Sequence, residues 1–437
     1  MTLKPLFDPR PYTTVSPEML AELGMDLELP DEGRIVKKMA DEAPGGAFDP
    51  RKLAEIPAAD MGYRAIWAVE RYTYYGFEWD ITGLCLESLH ADAGALPWIV
   101  VINGGSANLY EFFLDPLNRA GLGQYLAQRV NVMLVTIPGN FKYGGWDLPP
   151  DRRRPQYLLD QELPAEEIKI RNAIFTNRME LFGLKRLVAR HTRGDVLVVG
   201  HSTSGELTFL SMGDPELAGR LKGRILGWGT GGPANVRKTW EEKVGIRAEC
   251  VRKVDAYPPL WQLRSRHASG YVSSGYIGPL NPCGASGDEP VQVAEKWLAI
   301  EERRRPNFKQ VLQDVEHGGM IELKQKMEAE IQAAMPSSRT DIRVADVFED
   351  LFAANQSPLT GYRKMAWVVG KWDKGHWNRN EPDKARELTI ADAFRVHNPQ
   401  AEIRILVLDL PLTHYGHIEK PKEVASALIS ATRWLSE

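Results

Sequence analysis

The chain has 437 residues, 43% of them apolar and 26% charged, with a formal net charge of −4. That length exceeds what one compact core needs, so a large domain carrying an insertion or a small second unit is expected. Mild acidity without a basic stripe of interleaved aromatics excludes a nucleic-acid binder, and no run approaches the ~18 apolar residues of a membrane helix.

The three cysteines, Cys85, Cys250 and Cys283, are odd in number, far apart and not in metal spacing. They fit a reducing compartment, and no metal or other cofactor is expected. The first residues show no basic stretch followed by an apolar one, so the expectation is a cytoplasmic protein. The triplets Arg152-Arg153-Arg154 and Arg303-Arg304-Arg305 sit among acids and prolines and read as solvated surface. The 12 tryptophans are read first as core packing and second as pocket lining.

Residues 1–62 are rich in Pro, Asp and Glu and read as an extended arm with one short helix near Pro17–Leu23. From Tyr63 to Leu89, β-branched and aromatic residues alternate roughly, which predicts two antiparallel strands joined near Gly76. Short apolar runs then recur: Trp98–Ile102, Val130–Ile137, Asp195–Val199, Arg224–Trp228, Met365–Val369 and Ile403–Leu408. Each ends in turn residues, as parallel strands buried on both faces do. Helical patterns such as Ile168–His191 and Lys422–Leu435 lie between or after them. Strand and helix alternating in this way predict an α/β sheet with right-handed crossovers. From residue 236 to 360 the alternation stops, and charged helical segments predict an insertion.

The sharpest chemical signal is Val196–Glu206, VLVVGHSTSGE. A buried strand runs into Gly200-His201-Ser202-Thr203-Ser204-Gly205 and then a helical pattern. A nucleophile exposed on so sharp a strand-to-helix turn needs small residues two positions away on each side. Gly200 and Ser204 supply them, although the usual Gly-x-Ser-x-Gly pattern has glycine where Ser204 stands. Ser202 is therefore the candidate nucleophile. Asp373 follows the Met365–Val369 run, where a carboxylate enters the crevice at the strand ends; the competing reading is a helix cap. After the last strand, DLPLTHYGHIEKP offers two histidines, His414 and His417. The loop Asn103-Gly104-Gly105-Ser106 after the first parallel run lets a backbone approach a substrate closely; the competing reading is an ordinary glycine turn. His201 is read as a packing residue, as are His376 and Trp377. Gly227–Gly232 lacks the helix and acid of a dinucleotide loop.

These motifs resemble those of the α/β-hydrolase superfamily over residues 63–235 and 361–437. The resemblance implies an α/β-hydrolase fold: a mostly parallel sheet flanked by helices, with residues 236–360 as a helical cap. It implies a Ser-His-Asp triad in the chain order Ser202, Asp373, His414. His414 is favoured because it stands seven residues before Pro421 with Glu419 between, a spacing common in the family; His417 is the alternate base. It implies an oxyanion hole from the amides of Thr203 and Gly105, with Asn103 where many members have His. The expected activity is cleavage of a carboxylic ester or lactone through an acyl-enzyme, acting on a small-molecule substrate, with no nucleic-acid or membrane partner and a homo-oligomer left open. Acyl transfer, or cleavage of a C–C or amide bond, are alternatives on the same fold. A non-catalytic binding protein is the alternative of another class.

Overall fold

The structure is a computed structural model, and it describes residues 12–22, 27–30, 50–74, 77–103, 110–113, 120–136, 177–201, 204–230, 360–371, 398–410, 412 and 416–437. The expected cap, residues 236–360, lies outside the described residues except for residue 360.

Nine strands form two hydrogen-bonded sheets. β1 (Tyr12–Val15) and the long pair β2 (Tyr63–Tyr74) and β3 (Phe77–Ser88) come first. Then follow β4 (Trp98–Ile102), β5 (Val132–Thr136), β6 (Val196–Gly200), β7 (Arg224–Trp228), β8 (Lys364–Gly370) and β9 (Glu402–Leu408). One sheet has the order β2-β3-β5-β4-β6 and the other β1-β9-β8-β7. Among the paired strands only β3 runs against its neighbours; β4 is parallel to both β5 and β6, and β8 to both β7 and β9. β6 and β7 lie side by side where the two sheets meet.

Each parallel run of the sequence became one of these strands, because a stretch apolar at every position can be buried on both faces. In β4, Ile99 and Val101 pack on one face while Trp98, Val100 and Ile102 pack on the other. The first face is covered by α3 (Leu122–Leu126) and α8 (Pro421–Ser436), and the second by α4 (Asn177–His191), α5 (Gly205–Leu210) and α6 (Pro215–Leu221). The described helices also include α1 (Pro17–Glu22), α2 (Tyr110–Phe113) and α7 (Gly416–Glu419). α8 is buried almost all round, from Val424 to Thr432, because it packs on β7 and β8 and against α3 beside it.

The N-terminal segment does more than the sequence suggested. Tyr12–Val15 joins the sheet as an edge strand parallel to β9, with Tyr12 opposite Ile405 and Val15 opposite Leu408. The short helix expected near Pro17 is α1. Trp79, Trp98, Trp228, Trp367 and Trp434 are all buried, in keeping with core packing. Among the described residues no helix is long and apolar enough to cross a membrane, and no group of His, Cys, Asp and Glu could hold a metal ion.

Candidate active site

Ser202, Thr203, Gly105, Asp373 and His414 lie outside the described residues, as do His376 and Trp377. The segments that lead into and out of them are described, and they meet at one edge of the sheet, where β4, β6, β7, β8 and β9 end.

β6 is buried along its whole length and pairs with β4 up to Ile102 opposite Gly200. His201 then donates its N–H to the Ile102 carbonyl at 3.0 Å, which extends the ladder by one rung. Ser204 N–H returns to the His201 carbonyl at 3.1 Å, and Leu207 N–H donates to the Ser204 carbonyl at 3.0 Å as α5 begins. The return is so tight that a Cβ added to Gly200 would sit 1.8 Å from the Ser204 carbonyl oxygen. No side chain fits there, so glycine is obligatory for reasons of space. Gly200 N–H is held from the other side by the Thr208 hydroxyl at 2.8 Å.

Ser204, where the usual pattern has glycine, is 3% exposed. Its hydroxyl donates to the backbone carbonyl of Asn103, the residue at the end of β4. Asn103 is itself fully buried, and its N–H donates to the Val135 carbonyl at 3.4 Å. The turn after β6 and the loop after β4 are thus joined directly.

β8 and the segment after β9 are also joined at their roots. A Cβ on Gly370 would meet the Leu412 carbonyl oxygen at 2.6 Å, so the two backbones touch. Lys371 N–H donates to the Leu408 carbonyl at 3.3 Å, and Lys371 Nζ pairs with Asp409 at 2.5 Å. Asp373 comes two residues after Lys371, and His414 two residues after Leu412.

His417, the alternate base, is described and fully buried in α7. Its Nδ1 accepts a hydrogen bond from Trp228 Nε1 at 3.3 Å. Its ring lies 4.7 Å from Phe112 and 4.5 Å, edge to face, from His201. His201 is buried as well and meets Phe112 edge-on at 5.8 Å, which agrees with a packing role. This aromatic cluster draws on α2, β7, α7 and the end of β6. Neither Trp228 nor Phe112 was legible from the sequence as a neighbour of His417; Trp228 is 189 residues away along the chain.

A scan against protein-family models finds no match, and a search of curated proteins finds none either. Solved structures do resemble the chain. An esterase is 13% identical, with 85% of this chain and 100% of that one covered and a TM-score of 0.43. A putative epoxide hydrolase from Pseudomonas aeruginosa is 12% identical, over 86% and 98%, with a TM-score of 0.40. The thioesterase domain from the curacin biosynthetic pathway is 11% identical, over 83% and 99%, with a TM-score of 0.38.

The assignment of the fold rests on the sheet itself. A single antiparallel strand stands among parallel ones, and a central strand turns tightly into a helix at the edge where the later strands also end. That arrangement is the α/β-hydrolase fold, and this chain has it.

Proposed function

We propose that the protein is a serine hydrolase that cleaves a carboxylic ester or lactone through an acyl-enzyme. The observation that carries this reading is the turn after β6. Its backbone returns to within 1.8 Å of where a Gly200 side chain would begin, the crowding that a nucleophile-bearing turn requires.

In this reading Ser202 Oγ attacks the carbonyl carbon while His414 takes the hydroxyl proton. The tetrahedral oxyanion is held by the N–H groups of Thr203 and Gly105. As it collapses, the bond to the leaving oxygen breaks and His414 returns the proton to that oxygen. Water then attacks the acyl-enzyme by the same route, releasing the acid and restoring Ser202. Asp373 holds the His414 ring in the tautomer with Nδ1–H and stabilises its cation.

The surroundings of His417 support His414 as the base. Trp228 Nε1 can only donate, so His417 Nδ1 must present a lone pair. A triad histidine needs the opposite, a proton on Nδ1 shared with a carboxylate. His417 is then a buried ring that packs α7 against Trp228 of β7.

The test is labelling with a small fluorophosphonate, followed by intact mass and peptide mapping, on the wild type and on Ser202→Ala. One adduct per chain on Ser202, absent from the variant, is the expected result. A panel of p-nitrophenyl esters, lactones and amides then ranks the bond cleaved. A folded protein that takes no label, even from the smallest probe, would overturn the reading.

A further inference from the structure

We propose that Ser204 is a positioning residue for the oxyanion loop, acting through its hydrogen bond to the Asn103 carbonyl. The inference rests on the serine-hydrolase reading above and adds a residue to it.

The bond occupies a particular place in the ladder. β4 and β6 pair as far as Ile102 opposite Gly200, and His201 N–H takes the Ile102 carbonyl. Beyond that point the β6 chain turns back toward α5, and Ser204 N–H is spent on the His201 carbonyl. The next carbonyl of the β4 chain, that of Asn103, is fully buried and receives the Ser204 hydroxyl. A side chain therefore ties the end of β4 to the turn after β6 outside the regular ladder, in which the Asn103 N–H faces β5 and donates to the Val135 carbonyl.

That bond links the two segments that carry the proposed oxyanion donors. Thr203 immediately precedes Ser204, and Gly105 follows Asn103 by two residues. A peptide unit is planar, so holding the Asn103 carbonyl fixes the plane in which the chain enters the Gly104-Gly105 segment. Two glycines in succession have wide conformational freedom, and a donor pair must be held before the oxyanion forms if it is to lower the barrier. The glycine of the usual pattern could not make this bond. Ser204 is 3% exposed and its hydroxyl is aimed at a buried acceptor, which a solvated surface serine would not be.

The test uses the rate of labelling of the full chain by a small fluorophosphonate, whose P–O group occupies the oxyanion hole as the serine is phosphonylated. Ser204→Ala and Ser204→Gly are expected to label about ten-fold or more slowly, still to one adduct per chain, since loss of a whole donor costs roughly 100-fold to 1000-fold. Ser204→Thr keeps the hydroxyl and is expected to label within about three-fold of the wild type. Thermal melting of each variant separates this effect from loss of fold. Equal rates in all four proteins would overturn the proposal and leave Ser202 as the nucleophile. Ser204→Thr as slow as Ser204→Ala would overturn it too, since the hydroxyl would then not be the cause. Absence of label on the folded wild type would remove the serine-hydrolase reading, and this inference with it.

Discussion

At the scale of single residues, the two histidines after β9 are separated by one donor. The indole N–H of Trp228 meets His417 Nδ1 at 3.3 Å, in a cluster closed by Phe112 and His201. The assignment gives a contrast between two variants. His414→Ala is expected to slow fluorophosphonate labelling by roughly 1000-fold or more at mildly alkaline pH, as loss of a triad base does. His417→Gln keeps a side chain that can accept from Trp228 and is expected to stay within about ten-fold of the wild type. The reverse order of the two rates would make His417 the base. Little of this division was legible in the sequence. The spacing of His414 from Pro421 favours one of the two histidines, but the indole that meets His417 Nδ1 is on another strand. Ser204 is a similar case. In the sequence it is a departure from a glycine pattern; only the fold shows its hydroxyl reaching the Asn103 carbonyl.

At the scale of elements, the legible strands were those buried on both faces. Val196–Gly200 and Trp98–Ile102 are apolar at nearly every position because helices cover both sides, and such a run has few other readings. β1 escaped for the opposite reason. YTTV is four residues long with two threonines at its centre, and it gains its place through backbone pairing with β9. Edge strands carry weak side-chain patterns, since half of their hydrogen-bonding groups face outward. The pairing still has consequences. It covers the β9 backbone from Ile405 to Leu408, and the Val15 carbonyl accepts from Asp409 N–H at 2.9 Å just where the segment toward His414 begins. Removal of residues 1–15 is expected to lower the melting temperature by several degrees and to promote concentration-dependent association, as a bare parallel edge does. Differential scanning calorimetry and light scattering across a dilution series check both. A truncated chain that melts with the wild type and stays at one size would show that β9 needs no cover.

At the scale of the whole molecule, the proposed chemistry is divided between the two hydrogen-bonded sheets. The segments of Gly105, Ser202 and Thr203 leave one sheet, from β4 and β6; those of Asp373 and His414 leave the other, from β8 and β9. The sheets meet at β6 and β7, and each end of that seam is fastened differently. At the end of the proposed site, the rings of His201 and His417 touch across it. At the far end, Arg224 at the start of β7 pairs with Asp195, just before β6, at 2.8 Å, and Lys222 joins the same carboxylate at 2.8 Å. Burial alone would raise the Asp195 pKa, but hydrogen bonds from Lys222 and Arg224 outweigh it and hold the carboxyl below its ordinary value of 3.8. A lowered folded-state value stabilises the fold above the unfolded-state value, and that stability is lost as pH falls through the folded one. Ligand and catalytic groups in α/β folds gather at the carboxyl ends of the strands, so the two fastenings are expected to separate stability from chemistry. Arg224→Met is expected to lower stability to urea by about 1 kcal/mol at neutral pH, a modest loss because Asp195 is partly exposed and keeps Lys222. The gap from the wild type should narrow as the pH drops below the ordinary Asp range, where the carboxylate is protonated in both proteins. The labelling rate of Ser202 should not change, since the pair sits at the opposite end of β6 and β7 from the turn. A gap that persists in acid would show that Arg224 acts through packing, and slower labelling would show that the seam carries strain from one end to the other.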